Sequence, residues 1–128
     1  MQNCLRFLIV AWLAIGSAFA FSFGNHAATS ETKAGPGVDT IYAANLPREA
    51  RETLALIRLG GPFPYERDGI VFGNFEKRLP RQARGYYREY TVKSPWRKDR
   101  GPRRIIAGQN GDTYYTDDHY RTFRRISD

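Results

Sequence analysis

Five side chains of this sequence have types that together suit chemistry at a phosphate: Glu89, His119, Arg100, Arg103 and Arg104. Acid–base catalysis needs two proton carriers that reach opposite sides of one reacting centre; a carboxylate suits the base and an imidazolium the acid. Arginine presents a rigid fork of donors that matches phosphate and can stabilise charge developing at phosphorus. Each residue also has an ordinary reading. Glu89 can be a solvated strand residue, His119 a loop histidine beside Asp117 and Asp118, and Arg-Gly-Pro-Arg-Arg at 100–104 a solvated basic face. Spacing alone does not choose between these readings.

A second cluster is Phe72-Gly73-Asn74-Phe75-Glu76. Glycine and asparagine adopt unusual backbone angles, which can aim successive N–H groups at one acceptor. Glu76 can accept hydrogen bonds from a base edge that carries N–H donors, and the aromatic rings can stack on that base. Guanine has this pattern, with an acceptor at O6 and donors at N1 and N2. A plain turn with a hydrophobic plug fits the same residues.

These groups need elements to hold them. Gly85–Val92 is rich in aromatic and β-branched residues and reads as a strand. Alternation sends Tyr87, Glu89 and Thr91 to one face and Arg88, Tyr90 and Val92 to the other. Leu46-Pro47-Arg48-Glu49 reads as a helix start, with Ala50, Leu54 and Ile57 forming an apolar stripe and Gly60-Gly61 ending the helix. Short strands follow at Ile70–Phe72, Arg103–Ala107, Tyr114–Thr116 and Tyr120–Ile126, separated by Gly-, Pro- and Asp-rich turns. Strands joined by short turns form antiparallel sheets. The expected fold class is α+β: one N-terminal amphipathic helix packed on a twisted antiparallel β-sheet.

The chain has 128 residues and a net charge of +7. Phe7–Phe21 is a nearly unbroken apolar run that contains Ala18-Phe19-Ala20, a small-x-small cleavage pattern. Residues 1–20 therefore read as a secretory signal peptide. Residues 21–38 read as a flexible leader and residues 39–128 as the functional domain. Cleavage would remove Cys4, the single cysteine, and only one positive charge, Arg6. The domain must then be held by its core without a disulfide. Its charge favours polyanions. There is no glycine-rich phosphate loop and no cysteine cluster, and a lone histidine in the domain, His119, argues against a histidine-based metal site.

The fragments from Asp39 to Ile126 together resemble the small guanyl-preferring microbial ribonucleases, the barnase-like group, and most closely its bacterial secreted branch. The resemblance is carried, in family order, by Leu46-Pro47, Asp68-Gly69, Val71-Phe72, Asn74, Glu76, Leu79-Pro80, Gly85-Tyr86-Tyr87, Glu89-Tyr90-Thr91-Val92, Arg100-Gly101, Arg103-Arg104-Ile105-Ile106, Tyr114-Tyr115-Thr116 and Asp118-His119-Tyr120. It implies a secreted endonuclease of single-stranded RNA that uses neither metal nor cofactor. Cleavage 3′ of guanosine would give a 2′,3′-cyclic phosphate, then a 3′-phosphate. In that scheme Glu89 matches the general base, His119 the general acid, and Arg100 and Arg104 the phosphate-binding arginines. Tyr120 lines the phosphate and base site. Phe72, Asn74, Phe75 and Glu76 form the guanine loop. Arg67 and Arg103 are assigned to a weaker phosphate subsite.

The chain departs from the family at three positions. Phe75 stands where bacterial relatives commonly carry arginine, and is expected to cover the guanine face. Gly73 is expected to loosen the guanine loop. Tyr42 replaces a disulfide cysteine of some relatives. An exported ribonuclease endangers its maker, so an acidic, barstar-like cytoplasmic inhibitor is an expected partner. The protein is expected to be a monomer with no stable membrane association, located outside the cell or in the periplasm. The alternative is a non-catalytic protein that binds RNA or other polyanions and retains the fold.

Overall fold

A computed structural model describes residues 37–128. The expected signal peptide lies outside the described residues, as does nearly all of the expected leader. Among the described residues no helix is long and apolar enough to cross a membrane.

The elements run β1 (Asp39–Tyr42), a 3-10 turn (Ala43–Asn45), α1 (Arg48–Leu59), β2 (Ile70–Phe72), β3 (Tyr87–Thr91), β4 (Arg104–Gly108), β5 (Thr113–Thr116) and β6 (Arg124–Ser127). They form the α+β architecture expected from the sequence: one helix and one six-stranded sheet of order β1-β6-β5-β4-β3-β2. From β2 to β6 each strand pairs antiparallel with the next. The sheet is not wholly antiparallel, because β1 adds to β6 in parallel, with Asp39 opposite Arg124. The sequence reading assigned no strand there. It also began the last strand at Tyr120, whereas β6 begins at Arg124. Tyr120 has φ 71°, a left-handed conformation that a strand cannot contain.

α1 begins where expected. Pro47 occupies the N-cap position and Glu49 lies in the first turn, where an acid suits the positive end of the helix dipole. It ends at Gly60, whose φ of 81° places it in the left-handed region open to glycine. There the Gly60 and Gly61 amides donate to the carbonyls of Ile57 and Leu56. Ala50 and Leu54 bury the apolar stripe against Val92, Ile105, Tyr115 and Ile126.

The opposite face of the sheet carries a second apolar cluster: Leu79, Tyr87, Ile106, Tyr114 and Phe123. Ile105 and Ile106 are neighbours in sequence and both are fully buried, one on each face. β4 is therefore a middle layer, with the helix on one side and the long loops on the other. Truncating either isoleucine to alanine costs about 2–5 kcal/mol by core-cavity precedent. The loop-covered face is the one that Glu89 shares.

Candidate active site

β3 alternates as its sequence dictates. Tyr87, Glu89 and Thr91 are buried on the loop-covered face, and Arg88 and Tyr90 are more exposed on the other. Register then fixes what stands beside Glu89: Ile106 of β4 lies opposite it, Arg104 lies opposite Thr91, and Thr116 of β5 lies opposite Arg104. Glu89 is only 7% exposed. A carboxylate so buried needs partners. The Tyr120 hydroxyl donates to its Oε2 at 2.8 Å. Arg100 approaches Oε1 to 3.5 Å and donates through the same guanidinium to Thr91 Oγ1 at 2.7 and 3.1 Å. Burial, followed by the hydrogen bond to Glu89 and the Glu89 charge, raises the Tyr120 phenol above its ordinary value, against an opposing effect of Arg104. Tyr120 thus remains a neutral donor to Glu89 across the neutral range.

Arg104 is 3% exposed. One terminal nitrogen donates to the carbonyls of Gly101 and Arg103 at 2.7 and 2.8 Å. Its guanidinium carbon lies 5.9 Å from the centre of the Tyr120 ring. Its Nε is buried and makes no hydrogen bond. An unmet donor on a buried cation is costly and is rare in folded proteins. An anionic oxygen would satisfy it.

His119 is exposed and its ring lies against Tyr120, with centroids 4.9 Å apart. Both residues have positive φ, 59° and 71°. Two successive non-glycine residues in this region cost about 1–2 kcal/mol each, so the surroundings must impose the conformation. Asp118 does so. Its carboxylate accepts from the Thr116 hydroxyl, the Thr122 amide and the Thr122 hydroxyl. The Tyr120 amide donates to Thr116 Oγ1 and the His119 amide to the Pro102 carbonyl. Burial pushes the Asp118 carboxyl up, but the hydrogen bonds from Thr122 and Thr116 outweigh it, and the net shift is downward. The sequence reading missed this knot; a Thr-x-Asp-x-x-x-Thr spacing around a histidine was its only signal.

The expected guanine loop lines a cavity of about 310 Å³, together with Glu89, Tyr120 and Arg67. Phe72 stacks on Tyr120 with centroids 5.3 Å apart and an interplanar angle of 29°. Asn74, at φ 50°, closes the loop with both ends of its carboxamide: Oδ1 accepts from the Leu79 amide and Nδ2 donates to the Leu79 carbonyl. Glu76 is exposed and pairs at 2.6 Å with Arg78, which also donates to the Arg121 carbonyl. Arg78 was not singled out from the sequence, although Glu76-Lys77-Arg78 hints at it. An exposed pair of this kind is weak and exchanges readily.

Gly73 is not simply a loosening residue. A Cβ there would collide with the Phe75 ring, which folds back across it. The glycine permits that close approach, while Phe75 itself is 88% exposed.

Glu89, Arg100, Arg104, His119 and Tyr120 are brought together, next to the loop of Phe72, Asn74, Phe75 and Glu76. Arg103 is not with them. It is 4% exposed on the helix-facing side. There it donates to the Tyr115 hydroxyl at 3.0 Å and the Lys93 carbonyl at 2.9 Å, and it approaches Glu49 to 3.6 Å beneath the Trp96 ring. Alternation separates it from Arg104, and its phosphate-subsite assignment is corrected to a structural one. Among the described residues no group of three or more His, Cys, Asp or Glu side chains is placed to hold a metal ion.

A family sequence profile described as ribonuclease matches residues 27–127. Guanyl-specific ribonuclease St of Saccharopolyspora erythraea is 52% identical over 88 residues, which are 69% of this chain and 87% of that protein. A structure of ribonuclease Sa2 complexed with mononucleotides superposes with a TM-score of 0.72 at 47% identity, covering 73% of this chain and 98% of that one. A second, of ribonuclease Sa2 with guanosine-2′-cyclophosphate, gives 0.67 at 48% identity, covering 70% and 96%.

Proposed function

The chain belongs to the family of guanyl-preferring microbial ribonucleases, and on that premise we propose that Glu89 and His119 carry its reaction as base and acid. The enzyme is a guanyl-preferring endoribonuclease that cleaves RNA through a cyclic phosphate. In the proposed mechanism guanine enters the cavity between Phe72, Phe75 and Tyr120, and Glu76 accepts from its N1 and N2 donors. Glu89 removes the 2′-hydroxyl proton. The 2′-oxygen attacks phosphorus, the bond to the 5′-oxygen breaks, and His119 gives that oxygen its proton. Hydrolysis of the cyclic ester reverses the roles: His119 activates water and Glu89 protonates the 2′-oxygen. Arg100 and Arg104 stabilise the charge that develops on the phosphoryl oxygens.

The observation that carries this reading is the buried Glu89 carboxylate held by Tyr120 and Arg100, with Arg104, whose buried Nε has no partner, near the same Tyr120 ring. A binding surface has no need to hold a carboxylate against a phosphate site. The test is cleavage of single-stranded RNA in chelator by wild type, Glu89→Gln and His119→Ala. Either substitution is expected to slow cleavage by about 10²–10⁴-fold. Activity lost to chelator, or retained by both variants, would sink the mechanism.

Export belongs to the same proposal and is supported by the apolar run ending at Ala18-Phe19-Ala20. N-terminal sequencing of the exported protein tests cleavage after Ala20. The basic site further supports an acidic inhibitor in the producing cell; co-purification from cytoplasm tests it. A monomeric state belongs to the same proposal and is to be tested by sedimentation.

A further inference from the structure

We propose that the groove on the far side of the guanine loop from Glu89 is a second RNA subsite, which takes the strand 5′ of the cleaved guanosine. The inference rests on the ribonuclease function proposed above and extends it. Val71–Phe75 is a wall with a cavity on each side. One side holds Glu89 and Tyr120. The other is a groove of about 520 Å³, backed by Tyr87 and bordered by Lys77, Arg81 and Arg84, with no carboxylate in its lining.

The charge of this groove is not neutralised. Several basic residues elsewhere are matched by acids, as Arg48 is with Glu52, Arg97 with Asp99 and Arg124 with Asp117. Among the described residues no ion pair involves Lys77, Arg81 or Arg84. Phe75 tops the wall, 88% exposed, and borders both cavities. Cations along a groove with an exposed aromatic ring are what a single strand uses: phosphates meet the charges and a base stacks on the ring.

Strand polarity assigns the side. The scissile phosphate is 3′ of the guanosine, so in the proposed mechanism it faces Glu89, Arg100 and His119. The 3′ strand leaves past those residues. The groove lies across the loop from them and is left to the 5′ strand.

The test uses Lys77→Asn/Arg81→Gln/Arg84→Gln. Asparagine is chosen because Lys77 has φ 53°, which asparagine tolerates. Three probes carry a single guanosine: the dinucleotide GpU, an oligoribonucleotide extended on the 5′ side, and one extended on the 3′ side. Relative to wild type, KM is expected to rise roughly tenfold for the 5′-extended strand alone, because its phosphates no longer meet these exposed cations, each of which binds weakly. The slope of log KM against log salt should flatten by about 2, at ~0.7 per phosphate neutralised on a single strand. GpU turnover and thermal unfolding should not change.

Binding of a 5′-extended strand with 2′-deoxyguanosine at the cleavage position, followed by anisotropy, gives the same comparison without chemistry. It separates a failed subsite from a failed mechanism. Equal losses for the two extended strands, or no loss for the 5′-extended one, would overturn the proposal.

Discussion

The Tyr120 hydroxyl donates a 2.8 Å hydrogen bond to Glu89 Oε2 across the opening of the guanine cavity. It ties the residue read as the base to the aromatic ring on which His119 and Phe72 both rest. A donor to a carboxylate favours its charged form. Tyr120→Phe is therefore expected to lower kcat/KM for GpU roughly tenfold, the worth of one hydrogen bond to a charged group. A kcat/KM equal to that of wild type would remove this role.

Asp118 gives a pH-dependent prediction with a definite sign. Its folded-state carboxyl is lowered, net of a burial effect that works the other way. The stability it contributes is then present above the ordinary carboxylate value and lost as pH falls through the lowered folded one. The urea-unfolding difference between wild type and Asp118→Asn should stay constant from about pH 5 to 8 and shrink below about pH 4. His119 and Tyr120 lose their anchor in the variant, so its activity should fall at neutral pH as well.

Arg103 and Arg104 are neighbours with different roles, and kcat/KM of the folded fraction should tell their methionine variants apart. Arg103→Met strips the Tyr115 hydroxyl and the Lys93 carbonyl of a buried donor. It should destabilise by about 1–3 kcal/mol and leave the kcat/KM of the folded fraction unchanged. Arg104→Met removes the buried cation whose Nε has no partner, along with its donors to the Gly101 and Arg103 carbonyls. It should lower kcat/KM of the folded fraction about 10²–10³-fold, beyond any loss of stability. Denaturant titration and GpU kinetics on both variants check the difference.

Gly73→Ala forces the exposed Phe75 ring off the loop. Only the end of a free side chain must move, so stability should stay within about 0.5 kcal/mol of wild type. The preference for GpU over ApU, taken as a ratio of kcat/KM values, should fall. An unchanged ratio would mean that the ring does not take part in base recognition.

What the sequence disclosed depended on how local the cause was. α1 was legible because its proline, its apolar stripe and its terminal glycines all lie within the segment. β3 was legible by alternation, which also separated Arg103 from Arg104. Alternation does not say which face receives the helix, so it could not show that Arg103 is the structural one. β1 was hidden because only Ile41 of its four residues packs against the core, and its one strand partner among the described residues is the distant β6. Tyr120–Phe123 looked like strand because it is aromatic, yet side-chain bonds from Thr116, Asp118 and Thr122 hold that segment in a turn.

The parallel pairing of β1 with β6 carries a consequence for how the molecule assembles. Asp39 must find Arg124 across nearly the whole domain. Closing so long a loop is entropically expensive, and such pairings slow folding. The hairpins from β2 to β6 can form first and leave the edge of the sheet beside β6 open until the leading strand docks. Amide exchange should accordingly be fastest at Asp39–Tyr42 and slowest in β4. Until that strand docks, the sheet presents an unpaired edge, which is where association with a second chain would begin.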